Sequence, residues 1–426
     1  MENQGEFVAM KFKSNFVGAT SVDWYVGKRC NFDCSYCVDY LHDSTSPHVP
    51  LANMKKFVDF VHEKSGANVL WSLTGGEPTL NPDFESICEY IRVKGSSNIS
   101  ITTNGSRTAK YYVQLFEHLD HITLSLHFEH IAPKSLSYVE KVIQIENWRK
   151  KWNEENRANF KKGLARKKTF LVRFMVYPGL FEMIEEMKAR FQEASVERVE
   201  YRYIRPLSGG ANEQMPSKRL EFAQNHDTEK NLSRIHRIGS EIKTRITKHY
   251  LQLKYKKFDP KETPQDTLSS KDRLAIKDIV AREENWYSDG EKKKLNEYFS
   301  EDNEKKLMLF FEKEGEVHPS DYHYNKLNFE RKSNFEGWLC WAGIKHMKIA
   351  PNGDIYVGSC HVGGKRGNIY EIEKGIDMPA EPLRCPKWRC TDHLDLRVPK
   401  IKDWKYYSHV ETAVGGAERS APTQHV

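Results

Sequence analysis

The chain has 426 residues, of which 38% are hydrophobic and 29% are charged, a balance typical of a folded globular protein and not of a disordered one. Its formal net charge of +7 is modest for this length. The sequence contains no run of about 18 apolar residues, so no membrane-spanning helix is predicted. The first residues lack the apolar stretch of a signal peptide, so we predict a cytoplasmic protein. In that compartment, eight cysteines indicate metal or redox chemistry rather than disulfides.

Residues 20–206 alternate short apolar runs with longer stretches of helical periodicity, which predicts successive βα units and a parallel sheet. Six strands are predicted near Ser21–Val26, Val69–Thr74, Ile99–Thr103, Ile122–His127, Phe170–Val176 and Arg198–Ile204. Helices are predicted between them, among others at Met54–Glu63, Phe84–Val93, Ala109–His118 and Phe181–Glu193. Six units favour an α/β fold with an open or partial (β/α)6 barrel, in which active groups gather at the carboxyl ends of the strands.

After Pro206 the sequence becomes heavily charged and helix-prone to about Phe311, which predicts a helical insert acting as a scaffold or lid. Its basic runs are typical of solvated faces, with an anionic substrate or RNA as the alternative. From residue 337 a PNGD turn (351–354) between two alternating stretches predicts a β-hairpin. The predicted division is an N-terminal extension at 1–19, the barrel at 20–206, the insert at 207–336, a small C-terminal β-hairpin domain at 337–410 and a disordered tail at 411–426.

The stretch KRCNFDCSYCVDY, residues 28–40, places Cys30, Cys34 and Cys37 at C-x3-C-x2-C directly after the first predicted strand. Structural zinc takes four protein ligands, and most thiolate-bound iron–sulfur cubanes take one cysteine per iron. Three thiolates therefore leave one metal position open, and an open position is a reactive one. The alternative is a structural zinc site whose fourth ligand, His42 or His48, lies elsewhere.

Further polar groups follow the next three strands. The second strand runs into TGGEP (74–78), where Gly75 and Gly76 let the backbone approach a ligand and Glu77 offers a carboxylate to an amino group. The third ends in TTNG (102–105), and the fourth carries SLH (125–127). All of these groups are predicted at the same rim as the cysteine loop, an arrangement for which a zinc knuckle has no use.

With these motifs, residues 20–206 resemble the radical SAM superfamily. The resemblance implies that Cys30, Cys34 and Cys37 hold a [4Fe–4S] cluster whose open iron is chelated by S-adenosylmethionine (SAM). It also implies SAM contacts from Tyr36 beside the adenine, Gly75, Gly76 and Glu77 at the methionyl amine, Asn104 and Ser125 at the ribose or carboxylate, and Arg173. The implied reaction is reductive cleavage of SAM, with an electron from a flavodoxin- or ferredoxin-like partner. The resulting 5′-deoxyadenosyl radical then abstracts a hydrogen atom from a substrate C–H bond.

The C-terminal cysteines resemble those of the SPASM/Twitch auxiliary cluster domain. Cys340 and Cys360 fit the flanks of its hairpin, with Gly353 at the turn, and Cys385 and Cys390 would complete four ligands. The resemblance implies one auxiliary [4Fe–4S] cluster, and a structural zinc on the same four cysteines is the alternative. The eighth cysteine, Cys88, is predicted to be a small buried hydrophobe.

The substrate is less well specified by the sequence. Relatives that modify ribosomally made peptides often carry a leader-binding module before the barrel, whereas about 20 residues precede the first predicted strand here. This slightly favours a small polar or carbohydrate-like substrate, with a ribosomally made peptide as the alternative, for which the helical insert could bind the peptide or a carrier. Tyr201 and Tyr203 share one face of the sixth strand and are candidate hydrogen-atom donors, although structural tyrosines are commoner. A non-catalytic zinc or RNA-binding protein is the alternative from another class, but no basic, aromatic-interleaved motif supports nucleic-acid binding.

Overall fold

The computed structural model describes residues 5–13, 18–34, 37, 41–96, 98–128, 130, 136–176, 178–204, 287–301, 306–330, 332–387, 390, 392 and 394–414. Most of the predicted helical insert, from 207 to 286, lies outside the described residues, as do residues 205 and 206. Within the described ranges, no helix combines the length and apolar character needed to cross a membrane.

The described chain forms fifteen strands and nine α-helices. The strands are β1 Glu6–Phe12, β2 Thr20–Tyr25, β3 Val69–Thr74, β4 Asn98–Thr103, β5 His121–Leu126, β6 Thr169–Val176, β7 Val199–Tyr203, β8 Lys306–Lys313, β9 Glu316–His323, β10 Leu339–Cys340, β11 His346–Ile349, β12 Asp354–Tyr356, β13 Gly367–Asn368, β14 Leu383–Arg384 and β15 Lys400–Ile401. The helices are α1 Leu51–Ser65, α2 Phe84–Val93, α3 Ala109–Leu115, α4 Leu136–Glu155, α5 Arg157–Lys161, α6 Phe181–Glu193, α7 Asp289–Glu301, α8 Tyr324–Phe329 and α9 Glu411–Val414.

The main sheet confirms the α/β fold and all six predicted strands. Strands β2 to β7 lie side by side in chain order and are parallel throughout. The predicted C-terminal hairpin, β11 and β12, is also confirmed. It continues the same sheet because β11 pairs in parallel with β2. Among the described residues the nine-stranded sheet is open, with β13 and β7 at its edges.

The two faces of this sheet differ in chemistry. On the outer face Trp24 packs on Phe57 of α1, with ring centroids 5.3 Å apart, and Phe174 packs on Phe191 of α6 at 5.9 Å. Alternate residues of each strand point to the opposite side, here called the inner face. Its polar residues on seven neighbouring strands include Ser21, Asp23, Tyr25, Ser72, Ser100, Thr102, Thr123, Ser125, Arg173, Glu200, Arg202, His346 and Lys348. Leu70, Leu171 and Met175 share this face, so the inner face is mostly polar.

A second sheet differs from the predicted helical insert and adds a strand to the predicted N-terminal extension. Its strand order is β14-β10-β15-β1-β8-β9, so the predicted N-terminal extension contains a strand, and the stretch to Phe311 that was predicted to be helical ends in β8. Both strands are defined by distant partners, since β1 pairs with β8 and β15. In β8, the alternating Leu307, Leu309 and Phe311 are buried in a second core, a period-2 signal that the charged flanking sequence obscures.

The predicted disordered tail is wrong at its start. Residues 411–414 form the short helix α9, whose amino end follows Val410, a residue with no exposed surface. Burial of this apolar side chain stabilises the end of the described chain. Residues 415–426 lie outside the described residues.

Tyr287 ties the chain that follows the insert to the ends of β6 and β7. Its hydroxyl donates toward the carbonyl oxygens of Ile204 at 2.7 Å and Val176 at 3.0 Å, and it accepts the Ile204 N–H at 3.1 Å. The residue is only 4% exposed, so water cannot readily replace these partners. The hydroxyl therefore joins two strand ends to the segment that leads into α7.

Tyr287→Phe is expected to lower the free energy of unfolding by about 1–3 kcal/mol, because it removes the hydrogen bonds of a buried hydroxyl to two strand ends. Urea denaturation followed by circular dichroism measures the change. The control is Tyr370→Phe at a tyrosine that is 41% exposed, for which a change within about 0.5 kcal/mol is expected. Equal effects of the two substitutions would show that the Tyr287 hydroxyl does not join these segments.

Candidate functional site

The cysteine loop begins directly after β2 and is anchored on one side by Asp43. The Cys30 N–H donates to the Asp43 carbonyl at 2.7 Å, and the Asp43 N–H donates back to the Lys28 carbonyl at 3.0 Å. The Asp43 carboxylate accepts the N–H groups of Thr45 and Ser46. Burial opposes ionisation of Asp43, but these hydrogen bonds and that of the Ser46 hydroxyl outweigh it and lower the pKa of Asp43. The first cysteine is thus held by backbone contacts.

On its other side the cysteine loop packs against the GGE segment that follows β3. The Gly76 N–H donates to the Gly27 carbonyl at 3.0 Å, and the Glu77 N–H donates to the Arg29 carbonyl at 2.8 Å. A Cβ at Gly76 would lie 2.3 Å from the Arg29 and Lys28 carbonyl oxygens. Gly75 has φ +135°, and a Cβ there would lie 2.6 Å from the Gly27 carbonyl oxygen. The close approach that requires these glycines is thus between two backbone segments of the protein, not only toward a ligand.

The Glu77 carboxylate is committed to the protein interior. It is 2% exposed and accepts four hydrogen bonds, from the Thr79 N–H at 3.1 Å, the Thr79 hydroxyl at 2.6 Å, the Thr103 hydroxyl at 2.7 Å and the Asn104 N–H at 2.7 Å. Burial raises the pKa of Glu77 even though these bonds favour the carboxylate. The side chain therefore fastens the end of β3 to the end of β4, and its predicted contact with an amine is not built into this arrangement.

Asn104, after β4, reaches the cysteine loop. Its Nδ2 donates to Asn31 Oδ1 at 2.9 Å and lies 3.9 Å from Cys30 Sγ. The Phe32 N–H donates to the same sulfur at 3.3 Å. Burial raises the pKa of Cys30, and these N–H groups oppose that effect. Donors aimed at a sulfur stabilise a thiolate or a metal-bound sulfur.

After β5, His127 reaches the second cysteine. Its Nδ1 lies 3.3 Å from Cys34 Sγ, and burial, aided by the charges of His130 and Arg173, lowers its pKa to about 3. The Phe32 ring stacks on His130 at 4.5 Å. His127 belongs to the SLH group predicted at this rim, although no contact with a cofactor was predicted for it. The cysteine loop therefore contacts the carboxyl ends of β3, β4 and β5.

The other predicted SAM-binding residues lie in different environments. Ser125, Arg173 and Glu200 are neighbours across β5, β6 and β7 on the inner face, and Arg173 Nε donates to Glu200 Oε2 at 2.9 Å. Tyr324 of α8 also donates to Glu200. Arg173 is thus already engaged in an ion pair. Tyr36 lies outside the described residues.

Tyr201 and Tyr203, the candidate hydrogen-atom donors, share the outer face. The Tyr201 ring stacks on Tyr298 of α7 at 4.0 Å, and Tyr203 packs edge-on against Phe299 of the same helix at 5.7 Å. These contacts are those of structural core residues, on the face opposite Ser125 and Arg173. Their catalytic role stays a prediction that the geometry does not favour. Cys88 has no exposed surface, as expected of a buried hydrophobe.

The C-terminal cysteines gather near the junction of the two sheets. Cys340 lies in β10, and Cys385 is fixed to the chain beside it, since its N–H donates to the Trp338 carbonyl at 2.8 Å. Burial raises the pKa of the Cys360 thiol to about 12, and the charge of Cys340 acts on it too. Burial also raises the pKa of the Cys390 thiol, and the charges of Cys340 and Cys360 act in the same direction. The N–H of the residue two positions on donates toward Cys340 and Cys360, the pattern also seen at Cys30.

Two buried aspartates, Asp23 of β2 and Asp395, flank the His346 side chain of β11. Asp23 Oδ2 lies 3.3 Å from His346 Nε2, and Asp395 Oδ1 lies 3.6 Å from the same nitrogen. Neither carboxylate oxygen of Asp23 has a hydrogen-bond partner. Burial raises the pKa of Asp23 to about 8, with Arg397 opposing it, and burial lowers the pKa of His346 to about 3. The Asp23 carboxyl and the His346 imidazole are therefore both neutral over most of the pH range between about 3 and 8.

The donor set fits an iron–sulfur group, since thiolates are its usual ligands and N–H donors face Cys30. Within the described ranges, no three side chains of His, Cys, Asp or Glu lie together at metal-binding distances. The assignment of individual ligands at both cysteine groups therefore stays a prediction.

Comparison with known proteins agrees with this donor set. Residues 24–190 match the sequence profile described as the radical SAM superfamily. A mitochondrial GTP 3′,8-cyclase from Arabidopsis thaliana is 37% identical over 103 residues, 23% of this chain and 26% of that protein. An S-adenosylmethionine-dependent nucleotide dehydratase from Selenomonas ruminantium is 31% identical over 121 residues, 28% of this chain and 42% of that protein. The chain thus spans about a quarter of the length of the first of these curated relatives.

Solved structures give a broader but weaker likeness. SuiB from Streptococcus suis, bound to precursor peptide SuiA, is 14% identical with a TM-score of 0.40, over 85% of this chain and 65% of that chain. Native anSMEcpe with bound AdoMet is 14% identical with a TM-score of 0.38, over 82% of this chain and 78% of that chain. At these scores the likeness supports no conclusion about the substrate.

Gly76→Ala is expected to displace the cysteine loop, because the new methyl group would overlap the backbone carbonyl oxygens of Lys28 and Arg29. Backbone atoms cannot move aside as the end of a flexible side chain can. We expect a loss of about 1–3 kcal/mol in the free energy of unfolding and a several-fold lower iron content after anaerobic reconstitution. The control is Gly290→Ala, where a Cβ meets nothing within 4 Å. Normal iron content in Gly76→Ala would contradict the role assigned to this contact.

Asp23→Asn is expected to change the pH dependence of stability. Since the folded-state pKa of about 8 lies above the ordinary value of 3.8, the native state holds this proton more tightly, and its stabilising effect is lost as pH rises toward 8. The amide has no such proton. Relative to the wild type, the variant's free energy of unfolding should therefore increase with pH between about 4 and 8, by up to about 1.4 kcal/mol per pH unit.

Urea denaturation at a series of pH values measures this difference. The control is Asp377→Asn, at a carboxylate that is 88% exposed, and its curve should run parallel to the wild type. A parallel curve for Asp23→Asn as well would show that Asp23 ionises normally in the folded protein.

Proposed function

Because residues 24–190 match the radical SAM superfamily profile, we propose that this chain is a radical SAM enzyme and that Cys30, Cys34 and Cys37 hold its [4Fe–4S] cluster. The cluster, when bound and reduced, supplies reductive cleavage of SAM and, through it, abstraction of a hydrogen atom from a substrate C–H bond. The observation that carries this proposal is the seating of the cysteine loop against three neighbouring strand ends. A loop fixed in this way can present three sulfurs together and leave the fourth metal position to a ligand.

In this proposal the GGE segment, with Asn104, provides the floor of the SAM site. Gly75 and Gly76 carry no side chains beside the cysteine loop. Backbone N–H and C=O groups of the GGE segment can therefore reach the methionyl amine and carboxylate of SAM. The buried Glu77 acts by holding Thr103 and Asn104 in place, which makes it a positioning residue. Tyr36, Ser125 and Arg173 keep their predicted SAM contacts as part of the proposal.

We further propose a small polar or carbohydrate-like substrate held at the inner face. The alternation that buries aromatic rings under the helices places serines, threonines and charged groups on the other side of the sheet. Lys348 illustrates this, since its Nζ donates to the Ser359 hydroxyl at 2.9 Å and lies 4.7 Å from the Tyr25 ring centroid. Such a surface supports hydrogen bonding to a hydroxyl-rich molecule. The names of the curated relatives, which specify GTP and a nucleotide, are consistent with this class.

At the C-terminal region we propose an auxiliary [4Fe–4S] cluster on Cys340, Cys360, Cys385 and Cys390. Support comes from the mutual electrostatic contacts of these cysteines and from the N–H donors directed at two of them. Four protein ligands would leave no iron open to substrate, so this group would serve electron transfer or pocket structure. A flavodoxin- or ferredoxin-like protein is the proposed electron donor for the cluster at the cysteine loop.

Cys34→Ala is expected to abolish formation of 5′-deoxyadenosine, because two remaining thiolates cannot hold the cluster. The measurement is chromatography of the anaerobically reconstituted protein after addition of dithionite and SAM. Cys88→Ala is the control, because it removes a cysteine buried in α2 and should leave product formation within about twofold of the wild type.

Product formation at the wild-type rate by Cys34→Ala would contradict the proposal. So would a wild-type protein that binds zinc but no iron or sulfide under these conditions.

A further inference from the structure

The ammonium group of Lys400 is buried beside the C-terminal cysteines. Lys400 is 1% exposed, and β15 places it directly opposite Cys340 of β10. Residues paired in this way project their side chains from the same face, with Cβ atoms about 4.5–5.5 Å apart. The charges of Cys340, Cys390, Asp395 and Cys385 act on the ammonium, and the charge of Lys400 acts on Cys360. One lysine thus interacts with all four sulfurs.

The hydrogen bonds of Lys400 leave its charge unbalanced. Its Nζ donates to the backbone carbonyls of Asp395 at 2.5 Å and Val398 at 2.9 Å, and both acceptors are neutral. The Asp395 carboxylate accepts the Ser359 N–H at 2.8 Å and lies 3.6 Å from His346 Nε2, and its charge also acts on the ammonium. The two hydrogen bonds orient the ammonium, and the negative charges that act on it are those of Asp395 and the cysteines.

A buried ammonium is costly unless negative charge lies close to it. Four cysteines supply that charge when they are bound to a metal or cluster, because metal binding requires and maintains the thiolate form. A four-thiolate iron–sulfur group has a net negative charge, and reduction makes it more negative by one electron. A fixed positive charge beside it therefore stabilises the reduced form more than the oxidised form.

We propose that Lys400 is the counter-charge of the auxiliary cluster and raises its reduction potential. This inference rests on the proposed function, since it takes Cys340, Cys360, Cys385 and Cys390 as the ligands of that cluster. Lys400 is a positioning and charge-balancing residue, and it ligates no iron. Net charge and hydrogen bonding around the sulfurs are established determinants of cluster potential.

The test uses the full chain carrying Cys30→Ala, Cys34→Ala and Cys37→Ala, so that only the auxiliary cluster binds iron. Lys400→Met removes the charge, Lys400→Gln removes it but keeps N–H donors for the two carbonyls, and Lys400→Arg keeps the charge. A redox titration followed by electron paramagnetic resonance gives the potential of each protein. Lys168→Met is the matched control, because Lys168 is also buried and donates to a backbone carbonyl, that of Leu119 at 2.7 Å.

In both neutral variants we expect the ratio of reduced to oxidised cluster at a fixed potential to fall at least tenfold. For a one-electron couple this corresponds to about 59 mV. Lys400→Arg and Lys168→Met should stay close to the parent protein. If the neutral variants bind no iron while Lys400→Arg does, the requirement for the charge is supported in a stronger form.

Unchanged potentials in Lys400→Met and Lys400→Gln would overturn the role of Lys400 and leave the auxiliary cluster intact. A parent protein that binds no iron at all, or only zinc, would instead overturn the auxiliary cluster and the inference with it. A shift of equal size in Lys168→Met would also overturn it, since the effect would then reflect loss of any buried lysine.

Discussion

The candidate site depends on the contact between two backbone segments, the start of the cysteine loop and the GGE segment after β3. Two hydrogen bonds join them, and the absence of side chains at Gly75 and Gly76 permits an approach that a Cβ would prevent. Glu77 extends this contact to β4, because its buried carboxylate accepts hydrogen bonds from Thr103 and Asn104. The position of the first cysteine is therefore fixed mainly by backbone geometry and by one buried acidic side chain.

The main sheet separates stability from chemistry. Its outer face packs aromatic rings against helices, and its inner face presents hydroxyl and charged groups. The C-terminal hairpin contributes to both stability and chemistry. Strand β11 extends the sheet beside β2, and the segments on either side of the hairpin carry four cysteines. His346 and Lys348 of that strand lie across from Ser21 and Asp23, so the C-terminal region completes the inner face rather than standing apart from it.

Local signals in the sequence predicted the elements that close neighbours define. The bounds of β3 and α2 agree with the prediction residue for residue, since apolar runs and turn residues delimit them. The strand β1 was missed because its partners, β8 and β15, lie some 300 and 390 positions away in the chain, and no local pattern encodes such pairing.

The site was predicted in outline but not in its contacts. The spacing of Cys30, Cys34 and Cys37 and the glycines of GGE identified the rim. The sequence could not show that the glycines accommodate another loop, or that Glu77 points inward to four donors. It also left open which face Tyr201 would occupy, because alternation groups residues on a face without saying which face is covered. The contact of Tyr201 with Tyr298 in α7 decides this.

The central claim is that three cysteines leave one iron position open and that SAM occupies it. The most direct measurement is electron–nuclear double resonance on the reduced protein with SAM labelled with ¹⁵N at the amine and ¹⁷O at the carboxylate. The account predicts hyperfine coupling of both labels to the cluster, and loss of that coupling in Cys37→Ala. A reduced cluster that shows no coupling to either label when SAM is bound would contradict it.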